Sequence, residues 1–210
     1  MSSQVSCPVC SFGGSRSLAP SFSSFVSSVV AAWVASGGSV SVGCAVGADA
    51  AVVSSFLSSP LGLLSLRVFC VGGPGPSGSL SGFWSGSAVS VLSSLWCLFP
   101  SALRWWAGGP VSVPLRGRLL RRSAAALVGA SCACFFLSSP SSPGSLRVAA
   151  LAASRGLPVF VFACGFSGCP APLAGCCGSL ANQGRWVSSS FCGFPCLAWS
   201  SSPAGQLALF

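Results

Sequence analysis

The stretch Ser39–Leu57, "SVSVGCAVGADAAVVSSFL", decides how this chain folds. "SVSVGCA" reads as a strand: Val alternates with small residues, and no breaker falls before Gly43. "GADAAVVSSFL" reads as a helix, with Val52, Val53, Phe56 and Leu57 on one face. Between them lies a small-residue turn bounded by Gly43 and Gly47. Asp49, in the first turn of that helix, is the only acidic side chain among 210 residues. A carboxylate there suits the positive end of the helix dipole and can accept hydrogen bonds from free N–H groups.

Strands and helices alternate outward from this unit. Upstream, "VSCPVCSF" is a strand ending in the turn "GGSRS", and Pro20-Ser21 opens a helix with Phe22, Phe25, Val26, Val29 and Trp33 at helical spacing. Downstream, Pro60 stops the helix and "LRVFCVGG" is a third strand. A loop "PGPSGSLSG", a helix over "SAVSVLSSLWCLF" and a short strand in "LRWWAGGP" follow. "PLRGRLLRRSAAALVGA" is a helix with Pro114 at its start, "CACFFLSSP" a strand, "PGSLRVAALAASRG" a helix stopped by Gly156, and "LPVFVFACG" a strand. This alternation predicts an α/β, Rossmann-like three-layer fold with a mostly parallel central sheet. Residues 1–164 form that domain. Residues 165–210, rich in Gly, Ser, Cys and Pro, are expected to be an irregular C-terminal extension.

Composition narrows the chemistry. With 52% hydrophobic residues the chain can build a sizeable core. Glu, Lys, His, Tyr, Thr and Ile are all missing, and most of these types have adenine at the first or second codon position. The gene strand is therefore read as adenine-poor. Such a composition also fits translation of a wrong or antisense frame without function; the ordered motifs argue against that. Ten Arg against one Asp give a net charge of +9, which favours anionic partners. Ser and Gly interrupt every apolar run before the roughly 20 residues a membrane span needs, so no membrane partner is expected. The N-terminus "MSSQVSCPVC" has no basic n-region, and a cytoplasmic location with reduced thiols is expected. Cys7-Pro-Val-Cys10 has C-x-x-C spacing, but no second pair or His completes a zinc site, and alternation turns its side chains to opposite faces of the strand. Cys164, Cys169, Cys176, Cys177, Cys192 and Cys196 cluster without a recognisable metal spacing. No metal and no cofactor are expected.

In a doubly wound sheet, ligands bind at the carboxyl ends of strands, where strand order reverses. Three small-residue turns stand at such ends: Gly13-Gly14-Ser15-Arg16, Gly43 to Asp49, and Ser138-Ser139-Pro140 through Pro143-Gly144-Ser145. Small residues let a phosphate approach the backbone, and a helix N-terminus then receives its charge.

"GGSRS", "GCAVGADAAV" and "RRSAAALVGASCACFFLSSPSSPGSLRVAALAASRGLPVFVF" resemble the SLOG superfamily. That group includes the DNA-processing protein A (Smf) family and the lonely-guy phosphoribohydrolases. The resemblance covers Val5 to Phe162. It implies three ligand loops: Gly14, Ser15 and Arg16; then Gly43, Gly47, Ala48 and Asp49; then Ser139, Gly144 and Ser145, with Arg121 and Arg122 near the family's helix arginine. Cys44 departs from the family's second glycine. Leu146 and Arg147 stand where the phosphoribohydrolases carry an acid.

The resemblance implies a nucleotide or nucleotide-derived ligand, bound by a sensor or binding module. Single-stranded DNA is the alternative partner, from the basic balance and from Arg118, Arg121 and Arg122 on one helix face. The resemblance also implies a homodimer, with no interface located. A nucleotide N-glycosidase has little support: cleavage needs a carboxylate, and Asp49 is the one candidate. Without His or a second acid, neither a Ser-His-Asp triad nor a carboxylate pair can form. Asp49 is expected to brace its loop or orient a ribose hydroxyl. Trp105-Trp106 is expected to pack in the core, with base stacking as the alternative.

Overall fold

The computed structural model describes residues 7–59, 62–173 and 184–201. Pro60, Cys176 and Cys177, and the Val5 start of the first strand, lie outside these residues.

The elements run β1 (Val9–Gly14), α1 (Ser23–Ala35), β2 (Ser39–Val42), α2 (Ala48–Ser58) and β3 (Leu66–Phe69). A two-strand ribbon follows, β4 (Gly73–Pro74) with β5 (Leu80–Ser81), then α3 (Val89–Leu98) and β6 (Leu103–Arg104). The chain continues through α4 (Leu115–Ala126), β7 (Cys132–Leu137), α5 (Pro143–Ser154) and β8 (Val159–Ala163), and ends in β9 (Gly184–Phe191) and β10 (Phe194–Ser201). Eight strands form one sheet in the order β6-β3-β2-β1-β7-β8-β10-β9. The first six pair in parallel. This is the Rossmann-like α/β architecture that the strand–helix alternation predicts.

β7 shows why the sheet has two covered faces. All six of its residues are buried. Cys132, Cys134 and Phe136 enter one core with Val26 and Val30 of α1 and Val52 and Phe56 of α2. Ala133, Phe135 and Leu137 enter the other, with Ala149, Ala150 and Ala153 of α5. Successive strand side chains point to opposite faces, so a continuous apolar run is what burial on both sides requires.

The C-terminal segment corrects the expectation of an irregular tail. β9 and β10 form a hairpin, and β10 pairs antiparallel with β8, extending the sheet. Their two-residue turn is Cys192-Gly193, with φ of 51° and 84°. Positive φ at both positions matches the twist of a tight hairpin. Trp186 and Trp199 face each other across the strands, ring centroids 5.1 Å apart.

Strand order places the site. From β1 the chain steps outward through β2, β3 and β6. α4 then carries it back to β7, on the other side of β1. The reversal falls between β1 and β7, and the three small-residue turns follow β2, β1 and β7, which are neighbours in the sheet. No helix among the described residues is long and apolar enough to cross a membrane.

Candidate functional site

A cleft of about 640 Å³ opens at that reversal. Of the residues expected at the site, Gly14, Ser15, Arg16, Gly43, Asp49, Arg122, Ser139, Gly144 and Ser145 line it. Its size falls in the usual range for small-molecule sites, about 300–1,000 Å³.

The first and third loops are tied by serines. The Ser15 amide donates to Phe136 O at 2.9 Å, and the Ser138 amide donates to Ser15 Oγ at 2.9 Å. The Ser15 and Ser142 hydroxyls are 2.7 Å apart, and those of Ser17 and Ser138 2.8 Å. Ser142 Oγ also donates to Ser139 O at 3.0 Å. The α5 N-terminus opens onto the cleft just beyond this mesh. The first turn of a helix leaves its N–H groups without intrahelical acceptors, which here applies to Gly144 and Ser145. A Cβ added to Gly144 would meet nothing within 4 Å, so its backbone is open to an incoming group.

The second loop is divided in its role. Gly43 reaches the cleft. Gly47 and Ala48 do not; they lie behind the first loop. The Ala48 amide donates to Ser15 O at 3.1 Å. Gly47 has φ of 76°, and a Cβ there would press on the carbonyl oxygens of Ser15 and Arg16. These two residues support the first loop from behind and stand outside the cleft lining.

Asp49 sits under Gly43. Its Oδ2 accepts the Ala45 N–H at 3.0 Å and faces Arg122 Nη1 at 3.6 Å. A Cβ on Gly43 would press on Oδ2 and lie 2.8 Å from Arg122 Cζ, so glycine is what lets the ion pair close over the turn. The pair is nearly buried, with side-chain exposures of 11% for Arg122 and 7% for Asp49. Burial pushes the Asp49 carboxyl above its ordinary value, against the pull of Arg122, the Ala45 N–H and Arg16. Burial also opposes the Arg122 charge, but Asp49 and Cys44 together hold its guanidinium above its ordinary value. Arg122 Nη1 further donates to Cys44 Sγ at 3.6 Å and Nη2 to Ser123 Oγ at 3.3 Å, while Nε, buried, has no partner. Asp49 thus braces its own loop, as its place in the first turn of α2 suggests.

The arginines of α4 do not act as one face. Arg118 is buried, and its Nη1 donates to Val71 O at 3.2 Å and Gly82 O at 2.8 Å, fastening α4 to the segments around β4 and β5. Arg121 is exposed and lies outside the cleft lining. Arg122 alone of the three reaches the cleft.

Several lining residues escape sequence reasoning. Arg116 of α4 and Arg147 of α5 are exposed at the cleft beside Arg16. Trp84 supplies an aromatic wall, with Phe12, Leu119, Phe135 and Val148 as further apolar lining. Trp105 instead packs edge-on against Phe83 and Trp96, in keeping with a packing role. The signal for Trp84 is a lone large aromatic pair, Phe83-Trp84, inside the Gly/Ser run "PSGSLSGFWSGS". Cys10 lies in β1 and is buried, but Cys7 is exposed ahead of β1, which starts at Val9, so the two do not share the first strand as expected. Among the described residues no three metal-ligating side chains stand together.

Fold and cleft define a Rossmann-like α/β protein with a basic, partly aromatic pocket at its topological switch point. Compared with protein-family models, curated proteins and solved structures, the chain matches none.

Proposed function

We propose that this chain is a nucleotide-binding module of SLOG type, taking a nucleotide or nucleotide-derived anion in the switch-point cleft. The observation that carries the reading is the convergence, on one 640 Å³ cleft, of loops that lie far apart in sequence. The open α5 N-terminus suits a phosphate, which backbone N–H groups and the helix dipole both favour. Arg16, Arg116 and Arg147 line the same cleft as exposed positive charges, and Arg–phosphate pairs can be bidentate. Trp84 offers a face for a base. The one carboxylate is already held by Ala45 and Arg122, which favours binding over N-glycosidic cleavage. Single-stranded DNA is less well supported, because Arg118 and Arg122 are committed to internal partners.

Gly144→Asp separates binding from folding. The new side chain has open space, and an acid in the first helical turn favours α5. It also puts a negative charge where the phosphate would sit. Calorimetry over a panel of nucleoside mono-, di- and triphosphates should show binding by the wild type, weakened by added salt. The variant should bind at least about tenfold more weakly, with a melting temperature equal or higher. Binding unchanged by Gly144→Asp contradicts the reading, as does a wild type that binds none of the panel.

A further inference from the structure

Past the open N-terminus of α5, the cleft continues into a trough over β1. On that side of the sheet α4 packs against β3, and α5 against β7 and β8. In the strand order β3-β2-β1-β7 the two helices therefore leave β1 between them. Cys10 and Phe12 point into the opposite core, so β1 turns Ser11 and Gly13 to this side. Both are small, and both line the cleft. Leu119 and Ala126 wall the trough from α4, Val148 walls it from α5, and Phe135 lays its ring beside Gly13.

Ser11 is only 4% exposed, yet among the described residues its hydroxyl has no hydrogen-bond partner. Its register partner in β2, Ser41, is also buried but is satisfied, donating to the Ala126 carbonyl. The serines of the first and third loops are engaged too, Ser15 with Ser142 and Ser17 with Ser138. A buried hydroxyl without a partner costs stability, and this one stands on the floor of the cleft.

We propose, resting on the nucleotide-binding reading, that the trough seats the base of the nucleotide and that the Ser11 hydroxyl bonds the base's edge. The dimensions agree with this. Ser11 lies two residues below Gly13, about 6.6 Å along the strand. Val148 lies one turn below Gly144, about 6 Å along α5. Floor and wall thus reach equally far from the phosphate position, leaving room for the sugar that separates phosphate from base.

Ser11 also decides between kinds of occupant. An alkyl chain would cover the hydroxyl with carbon and leave it unpaired. A base brings flat apolar faces for Leu119, Phe135 and Val148, and edge atoms that can donate to or accept from a hydroxyl. Trp84 can stack on a base as well. It stands by the second loop, however, where Asp49 and Arg122 are already paired with each other. Only the trough offers both apolar walls and a hydrogen-bonding group in need of a partner.

Calorimetry with adenosine monophosphate and ribose 5-phosphate tests this on wild type, Ser11→Ala, Ser11→Leu and Trp84→Ala. The two ligands share phosphate and sugar and differ in the base. Wild type should bind the nucleotide at least about tenfold more tightly. Ser11→Ala should weaken nucleotide binding about fivefold and leave ribose 5-phosphate unchanged. Its melting temperature should equal or exceed that of wild type, because the ligand-free fold loses only an unpaired hydroxyl. Ser11→Leu fills the trough and should abolish the nucleotide's advantage while sparing ribose 5-phosphate. Ser11→Ala removes a single oxygen and carries the test even if leucine is not accommodated. Unchanged nucleotide affinity in Ser11→Ala overturns the proposal, as does an equal loss for both ligands or a clear drop in its melting temperature. A nucleotide advantage lost in Trp84→Ala but kept in both Ser11 variants overturns it by seating the base on the indole. Ribose 5-phosphate bound by wild type as tightly as the nucleotide removes the base seat and keeps the phosphate reading. A wild type that binds neither removes the nucleotide-binding reading itself.

Discussion

Replacing Arg122 with Met, with Asp49 kept, is expected to destabilise the fold by about 3–5 kcal/mol, the range for stranding one member of a buried ion pair. Asp49 would remain under Gly43 with the Ala45 N–H as its partner and no countercharge at 3.6 Å. The double variant Arg122→Met/Asp49→Asn is expected to recover much of that loss, because the amide still accepts from Ala45 while the buried charge is gone. Urea unfolding of the four proteins in the cycle measures the coupling. The pH dependence has a defined sign. Burial holds the Asp49 carboxyl above its ordinary value, so the folded chain takes up its proton more readily than the unfolded chain. Its penalty is therefore greatest at neutral pH and shrinks as pH falls toward the carboxylate range. In Arg122→Met that recovery should be plain. A loss below about 1 kcal/mol, the level of an exposed pair, and independent of Asp49, would show that the pair is ordinary surface electrostatics.

Gly47→Val is expected to be comparably damaging, by about 3 kcal/mol or more. Two costs coincide there. A β-branched residue does not tolerate φ of 76°, and its Cβ would press on the Ser15 and Arg16 carbonyl oxygens. The first loop would have to move, and with it the Ser15 bonds to Ser138 and Ser142 that hold the third loop. Gly47→Ala should be milder yet clearly destabilising, since it keeps the strained φ and most of the clash. Denaturant midpoints of the two variants, measured together, check the order. A Val variant as stable as wild type would mean that the first two loops do not pack as described.

The fold was legible where local pattern and burial agree. "CACFFL" is a continuous apolar run, and only a strand covered on both faces uses it fully. "VVSSFL" repeats at helical spacing, and its Val52, Val53 and Phe56 are buried in α2, together with Ser55. The hairpin at the end was hidden for a physical reason. Its strands read "GRWVSSSF" and "FPCLAWSS", where Ser stands at positions that Thr or Val would normally mark, and its turn carries Cys-Gly instead of Asn-Gly.

The site was legible as loops but not as side-chain roles. Spacing places Gly14, Gly43 and Gly144 at strand ends and helix starts. It cannot say that Gly47 and Ala48 face the back of the first loop, because that depends on how β1 and β2 stack. Arg118, Arg121 and Arg122 share a helix face by spacing alone. Tertiary partners then commit the first to two carbonyls, leave the second in solvent and turn the third into the cleft. Arg147 and Trp84 come from elements whose approach to the cleft only the sheet order reveals.

Everything proposed above turns on whether the switch-point cleft receives a phosphate-bearing ligand. An amide NMR titration of the wild-type chain with adenosine monophosphate tests it residue by residue. A dispersed spectrum is expected, as a packed core requires, with saturable shifts centred on Ser15, Arg16, Gly144 and Ser145 and little change in β9 and β10. A collapsed spectrum, no shifts, or shifts confined to surfaces away from that cleft would contradict it.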